Sequence, residues 1–147
     1  MTSKSLSIDN ALLGLNEFLR DTIAPAISDP YVAPMARLSG MLLNICANGF
    51  DDAAELGVHE NAEIRGILGE AAALVDAPLA SELKAAAAKA DPGLKISLLD
   101  AENHRLRVLL VAAQSAIEEM PIPAAKALNQ RIWQLLESIE AKRAPRE

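Results

Sequence analysis

Two histidines set the limit on the metal or acid–base chemistry that this sequence could perform. His59 has Glu55 four residues before it and Glu63 four residues after it. On one continuous helix this spacing would place two carboxylates beside an imidazole, and such a group could ligate a metal ion. Gly57 and Asn61 instead favour a turn at this point. We therefore expect exposed polar surface here and predict no metal site.

A dense group of polar residues follows later in the chain. It could bind a polar ligand or a charged patch on a partner protein. A structural role is the favoured alternative, because Glu102 and Arg105 can form an ordinary ion pair three residues apart. Asn103 falls among apolar helix positions, where a polar residue typically fixes register or oligomeric state. The group comprises Asp100, Glu102, Asn103, His104, Arg105 and Arg107.

The remaining motifs give no sign of catalysis. The Glu-x-x-His spacing of bundled di-metal sites does not occur in the sequence. Cys46 follows Ile45 in an apolar segment without a neighbouring cation, which predicts a small buried hydrophobic residue and no catalytic thiol. A phosphate-binding loop, a dinucleotide fingerprint and a serine nucleophile elbow are also missing. We predict no catalytic residues, no cofactor and no enzyme activity.

Composition limits the fold and the partners. The chain has 147 residues, of which 51% are hydrophobic and only 3% aromatic, so its core must be built from Leu, Ile, Val and Ala, as in packed helices. The net charge of −6 disfavours a broad nucleic-acid face. A single cysteine excludes an internal disulfide. With no signal-peptide pattern and a longest apolar run of residues 108–113, the sequence predicts a cytoplasmic protein without a membrane span.

The helices that must position these residues can be read from prolines, caps and apolar spacing. Pro25 should kink or end the first helix, and Asp29-Pro30 and Asp91-Pro92 are typical helix starts. We expect one all-α domain over residues 1–140, an antiparallel bundle of four principal helices plus one or two short ones, with a disordered tail at 141–147. The expected helices cover residues 7–24, 30–49, 64–76, 79–90, 95–120 and 123–140, with a short helical piece near residue 52.

Apolar stripes on these helices predict the core. The helix at 79–90 has few bulky apolar residues and should be peripheral. Residues 108–113 are apolar almost all round, so we expect this end of the long helix to be enclosed. The stripes, with steps of three and four, comprise Ile8, Leu12, Leu15, Leu19 and Ile23; Tyr31, Met35, Leu38, Leu42, Ile45 and Gly49; and Ile96, Leu99, Leu106, Leu110, Ala113, Ile117 and Met120.

Two segments carry a resemblance to a known family. They are residues 16–27, with Asn-Glu-Phe-Leu-Arg-Asp followed by Ile23, Pro25 and Ala26-Ile27, and residues 102–110, with Glu-Asn-His-Arg-Leu-Arg followed by Leu109-Leu110. Together they resemble a family of small, uncharacterised bacterial helical proteins encoded near aminoglycoside-phosphotransferase-like proteins and acyl-CoA dehydrogenases. The resemblance implies an accessory role beside a kinase-like or acyl-CoA enzyme and carries over no catalytic residues.

These observations predict a non-catalytic helical bundle that acts through protein–protein contacts, as a homodimer or with another protein. The long helix or the last helix would supply the interface. Trp133, the only tryptophan, lies beside an apolar stripe of the last helix, where it would complete the core or, as the less favoured alternative, anchor a partner. The alternative is a carrier or sensor of an apolar small molecule bound between helices. The predicted interface residues are Leu128, Ile132, Trp133 and Leu136.

Overall fold

The computed structural model describes residues 7–144, and every regular element within them is helical, which confirms the expected all-α class. Contacts divide these residues into two compact units, an N-terminal hairpin (residues 7–52) and a C-terminal bundle (residues 53–144), each described by itself. The single domain expected over residues 1–140 stays a prediction. The helices are α1 (Ile8–Phe18), α2 (Val32–Phe50), α3 (Ala53–Ala71), α4 (Leu79–Ala88), α5 (Ile96–Glu118) and α6 (Pro123–Arg143).

Of the two outcomes expected at Pro25, a kink or an end, the helix does not end there. It continues through a π-helical turn, Leu19–Ile23, and a short helical turn, Ala24–Ala26. The N–H of Ala24 donates to the carbonyl of Leu19, one residue further back than in an α-helix. This wider turn accommodates a proline that has no N–H to donate.

The start of α2 follows the expected cap. The Asp29 carboxylate accepts the backbone N–H of Tyr31 at 2.8 Å and that of Val32 at 3.3 Å. Because these amides have no partner within the helix, the aspartate satisfies them and fixes the first turn.

Small residues of α2 are the ones buried in the hairpin. Gly40 and Ala47 are its only buried residues. A Cβ atom on Gly40 would lie 2.9 Å from the Asn16 side-chain oxygen and 3.3 Å from the Asn16 carbonyl oxygen, so α1 and α2 approach closely there. The large apolar stripe of α2 therefore does not form the core of this unit, contrary to the sequence prediction, and Met35 is 67% exposed.

We expect Gly40→Ala to lower the free energy of unfolding by about 1 kcal/mol, because overpacking against Asn16 outweighs the gain in helix propensity. Gly14 in α1 is the matched control, since a Cβ atom there meets nothing within 4 Å. Gly14→Ala should stabilise the chain by up to about 1 kcal/mol. Urea unfolding followed by circular dichroism measures both, and equal stabilisation by the two variants would contradict the close approach.

Helix directions in the C-terminal bundle follow from contacts between side chains. Gly57 lies against Leu99, and Asn61 bonds to Asn103; the two pairs have the same separation in sequence, so α3 and α5 run in the same direction. The helix α6 runs opposite to α3, because its last turn reaches Glu60 while Arg131, near its middle, pairs with Glu70. Consecutive helices α5 and α6 are antiparallel, as expected.

The core of the bundle is aliphatic and follows most of the predicted stripe on α5. Leu99, Leu106, Leu110, Ala113 and Ile117 of that stripe are buried, whereas Ile96 is exposed. The fully buried large residues that the other helices contribute to this core are Ile64, Leu68, Leu83, Ile132 and Ile139.

Three expectations for this region are wrong. Gly57 does not interrupt a helix but lies inside α3, where the absence of a side chain leaves room for Leu99. The helix α4 is not merely peripheral, because Leu83 is fully buried. Residues 108–113 are not enclosed on all sides, since Val108 and Val111 are 56% and 63% exposed.

The ends of the last helix and of the chain differ from expectation as well. Residues 141–143, expected to be disordered, belong to α6, and residues 145–147 lie outside the described part of the chain. Within residues 7–144, no helix combines the length and the apolar character that crossing a membrane requires.

Candidate functional site

Four polar residues are buried where α3 faces α5, and we call them the polar layer. They are Glu60 and Asn61 of α3 and Glu102 and Asn103 of α5, none of them more than 8% exposed. Burying a charge is costly unless it is paired and hydrogen-bonded, so this arrangement needs a close-fitting set of partners.

The polar layer derives from a short motif that occurs twice. Residues 60–65 and residues 102–107 both have the pattern Glu-Asn-x-x-(Ile or Leu)-Arg. Each copy lies on a helix, and in each copy the aliphatic residue, Ile64 or Leu106, is fully buried. The two copies therefore present the same side chains from two helices that run in the same direction.

Each motif supplies the arginine that pairs with the glutamate of the other motif. Arg107 of the second motif donates to Glu60 of the first at 2.6 and 3.0 Å. Arg65 of the first motif donates to Glu102 of the second at 3.1 Å. At the centre, the Asn103 amide donates to the Asn61 side-chain oxygen at 2.9 Å. The two arginine–glutamate pairs are thus arranged with approximate twofold symmetry between α3 and α5.

Each glutamate accepts further hydrogen bonds from side chains around it. Glu60 also accepts hydrogen bonds from Asn103 at 2.8 Å and from Arg143 of α6 at 2.9 Å. Glu102 accepts two bonds from Arg105, at 2.7 and 3.0 Å. The layer thus joins α6 to the pair α3 and α5.

Asp91, in the segment before α5, completes the layer. Its carboxylate accepts bonds from Asn61 at 2.9 Å and from Arg65 at 2.8 Å. Asn61 donates as well to the Leu99 carbonyl at 3.3 Å. The segment that leads into α5 is therefore attached to the centre of the layer.

These contacts keep the two buried glutamates, Glu60 and Glu102, ionised. The Arg105 guanidinium lowers the pKa of Glu102 to about 2, with Arg65 adding to the effect against the cost of burial. Burial alone would raise the pKa of Glu60, but hydrogen bonds from the arginines and from Asn103 outweigh it and hold that pKa below its ordinary value. Carboxylates held in this state are poor general bases at neutral pH, so the layer suits a structural role.

Stability should fall in acid because of Glu102. Its folded pKa lies below the ordinary value, so its contribution to stability is complete above about pH 5 and is lost as the pH falls towards 2. We expect a loss of roughly 2 to 3 kcal/mol across this window. Urea unfolding between pH 2 and 7 measures it, with Glu102→Gln as the control, whose stability should change less over the same range. Identical pH dependence in both proteins would contradict this role.

The structure brings together only part of the polar group predicted on α5. Glu102, Asn103, Arg105 and Arg107 take part in the network, whereas Asp100 and His104 are exposed. The expected Glu102–Arg105 pair forms, but Glu102 is buried and is not part of an ordinary surface pair. The partners that α3 contributes were not predicted from the sequence, although the repeat of one motif at 60–65 and 102–107 indicated them.

The predicted interface on α6 is mostly core. Leu128 and Ile132 are buried inside the bundle, and Leu136 packs partly against the same core. Trp133 is 55% exposed. Of the four predicted residues, Trp133 alone is largely accessible to a partner.

The other residues considered for chemistry are on the surface. His59 is exposed on α3, with its Nε2 3.5 Å from a Glu63 oxygen. Cys46 is exposed, so its predicted burial is wrong. Within the described part of the chain, no group of three His, Cys, Asp or Glu side chains could hold a metal ion.

The hairpin carries a second candidate site, its exposed apolar residues. Gly40 and Ala47 of α2 are buried, while the bulky side chains on both helices and beside them reach solvent. We call the ten large exposed residues the outward face. It comprises Ile8, Leu15, Phe18, Tyr31, Val32, Met35, Leu38, Met41, Leu42 and Phe50.

Grooves on the C-terminal bundle bear on the alternative of a small apolar ligand. One groove of about 420 Å³ runs between α3 and α6 over Gly66 and is open to solvent. Polar side chains line much of it, among them Glu63, Arg131 and Gln134. An apolar carrier site would be enclosed and mainly apolar, so this groove does not favour that alternative.

Comparison with known proteins leaves the function to be argued from the residues. The chain matches no known family model, and neither a curated protein nor a solved structure is detectably similar to it. The family resemblance of residues 16–27 and 102–110 stays a prediction.

Proposed function

We propose that this is a cytoplasmic, non-catalytic protein that acts by binding another protein chain through the outward face of its N-terminal hairpin. The C-terminal bundle has a large aliphatic core, and the polar layer links its helices α3, α5 and α6. The hairpin has the opposite character, because its large apolar residues are exposed.

The observation that carries the proposal is the concentration of exposed apolar residues on one small unit. Ten of the large hydrophobic residues of the hairpin are between 42% and 84% exposed. Exposed apolar patches of several hundred square ångströms are often functional and typically mark interaction surfaces. The buried residues of the hairpin helices, Ala24, Gly40 and Ala47, are all small. A partner chain would supply the burial that the hairpin lacks.

The partner is either a second copy of the chain or a different protein. The family resemblance makes a kinase-like or acyl-CoA enzyme the first partner to look for among different proteins. Exposed Trp133 on α6 is a separate aromatic anchor that the bundle offers to a partner.

The test compares capture by the tagged wild type with capture by two double variants in the native cell. Leu38→Glu/Leu42→Glu places charges on the outward face, and Val108→Glu/Val111→Glu places them at equally exposed positions of α5. We expect the first variant to lose captured protein, including untagged copies of the chain, on the order of tenfold or more, because charges would have to be buried. The second variant should resemble the wild type. Equal capture by all three proteins would overturn the proposal.

A further inference from the structure

We infer that the occupant of the outward face is a second copy of the same hairpin, and that the two hairpins form an intermolecular four-helix bundle with their α2 helices antiparallel. This inference rests on the proposed function and adds the identity and orientation of the partner. The observations behind it are the spacing, charge and area of the exposed residues on α2.

The exposed stripe of α2 has the spacing of a helix-pairing seam. Met35, Leu38 and Leu42 follow one another at steps of three and four and are 67%, 49% and 53% exposed. Ile45 continues the stripe and is half-buried. Leucine-like residues at this spacing pack into the gaps of another helix with the same spacing. A second copy offers that complementary surface without any further requirement.

The residues that flank the stripe are uncharged. Val32, Ser39, Met41 and Cys46 occupy these flanking positions, and all four are exposed. Arg37 is the only charged residue in the whole of α2. Two-stranded coiled coils usually carry charges at the flanking positions, whereas a wide apolar face suits a bundle of four helices. Two hairpins supply four helices.

The exposed area matches what one partner contributes to a dimer. Fully burying one large apolar side chain removes on the order of 100 Å² from water, so ten side chains at about half exposure offer about 500 Å². A standard interface takes about 800 Å² from each partner, of which about 60% is apolar. The outward face is thus large enough for a stable dimer.

Two features favour the antiparallel orientation. The stripe is symmetric about its centre, so that antiparallel helices would place Leu38 opposite Leu42 and Met35 opposite Ile45. Antiparallel pairing also places the positive end of each α2 dipole beside the negative end of its partner's. Parallel pairing would instead bring two helix ends of the same polarity together.

Light scattering after size exclusion tests the second copy. The full-length wild type should have twice the 15.6 kDa mass of one chain, and its melting temperature should rise with protein concentration. Leu38→Glu/Leu42→Glu should weaken dimerisation on the order of 100-fold or more, whereas Val108→Glu/Val111→Glu should remain dimeric. Circular dichroism checks that each variant keeps its helical content.

Cysteine cross-linking tests the orientation in a Cys46→Ser background. A Leu38→Cys chain mixed with a Leu42→Cys chain should form the mixed disulfide faster than either chain forms a disulfide with itself, because only the mixed pair is directly opposed. Preferential self-pairing of both variants would overturn the antiparallel arrangement.

The inference and the proposed function fail in different ways. A monomeric wild type at about 100 µM overturns the second copy, because an interface of this size should be largely formed at that concentration. If that monomer still captures another protein through Leu38 and Leu42, the proposed function stands.

Discussion

Replacing Glu60 with alanine is expected to lower the free energy of unfolding by about 3 kcal/mol, because it removes a buried carboxylate that accepts hydrogen bonds from three side chains. The Glu60 side chain is 5% exposed and bonds to Arg107, Arg143 and Asn103. Without it, two guanidinium groups and one amide lose their shared acceptor. Urea unfolding followed by circular dichroism measures the difference.

Glu70→Ala is the matched control for this substitution. Glu70 lies on the same helix, α3, and also pairs with an arginine of α6, Arg131, but both side chains are about half exposed. Exposed ion pairs contribute little, so the stability of this variant should be almost unchanged. If Glu60→Ala were as mild as Glu70→Ala, the polar layer would not hold the bundle together.

Leu106→Ala is expected to lower the free energy of unfolding by about 4 kcal/mol, because it opens a cavity in a core that is closely packed. Leu106 is fully buried and belongs to the second motif copy. Trp133→Ala is the control on the neighbouring helix α6. Since Trp133 is 55% exposed, we expect a much smaller loss despite the larger side chain removed. Equal losses would mean that Trp133 is a core residue.

Periodicity predicted the helices well but could not say what each apolar stripe contacts. The stripe on α5 and the stripe on α2 have the same steps of three and four, yet Leu106 is buried and Met35 is 67% exposed. A stripe shows only that one face avoids water, and the cover can come from the same chain or from another. Gly40 was the residue that distinguished the two faces of α2, because it is the point of close approach to α1.

Only the α5 side of the polar layer was predicted from the sequence. Asn103 at an apolar position of α5 indicated a buried polar contact, and its amide does bond to Asn61, while its role in fixing register stays a prediction. The partner side was missed because Gly57 and Asn61 suggested a turn, which removed Glu60 and Asn61 from any helix face. In the structure Gly57 lies against Leu99 within one continuous helix, α3. Tertiary packing here overrides the local preference for a turn.

The exchange of charges between the two motifs also restricts how this protein can evolve. Arg107 pairs with Glu60, and Arg65 pairs with Glu102. Neither motif can therefore lose its glutamate or its arginine without a compensating change in the other motif. Among natural relatives, residues 60 and 107 should therefore be inherited as compatible pairs, and residues 65 and 102 likewise. Two separated pieces of the gene are in this sense one unit of selection.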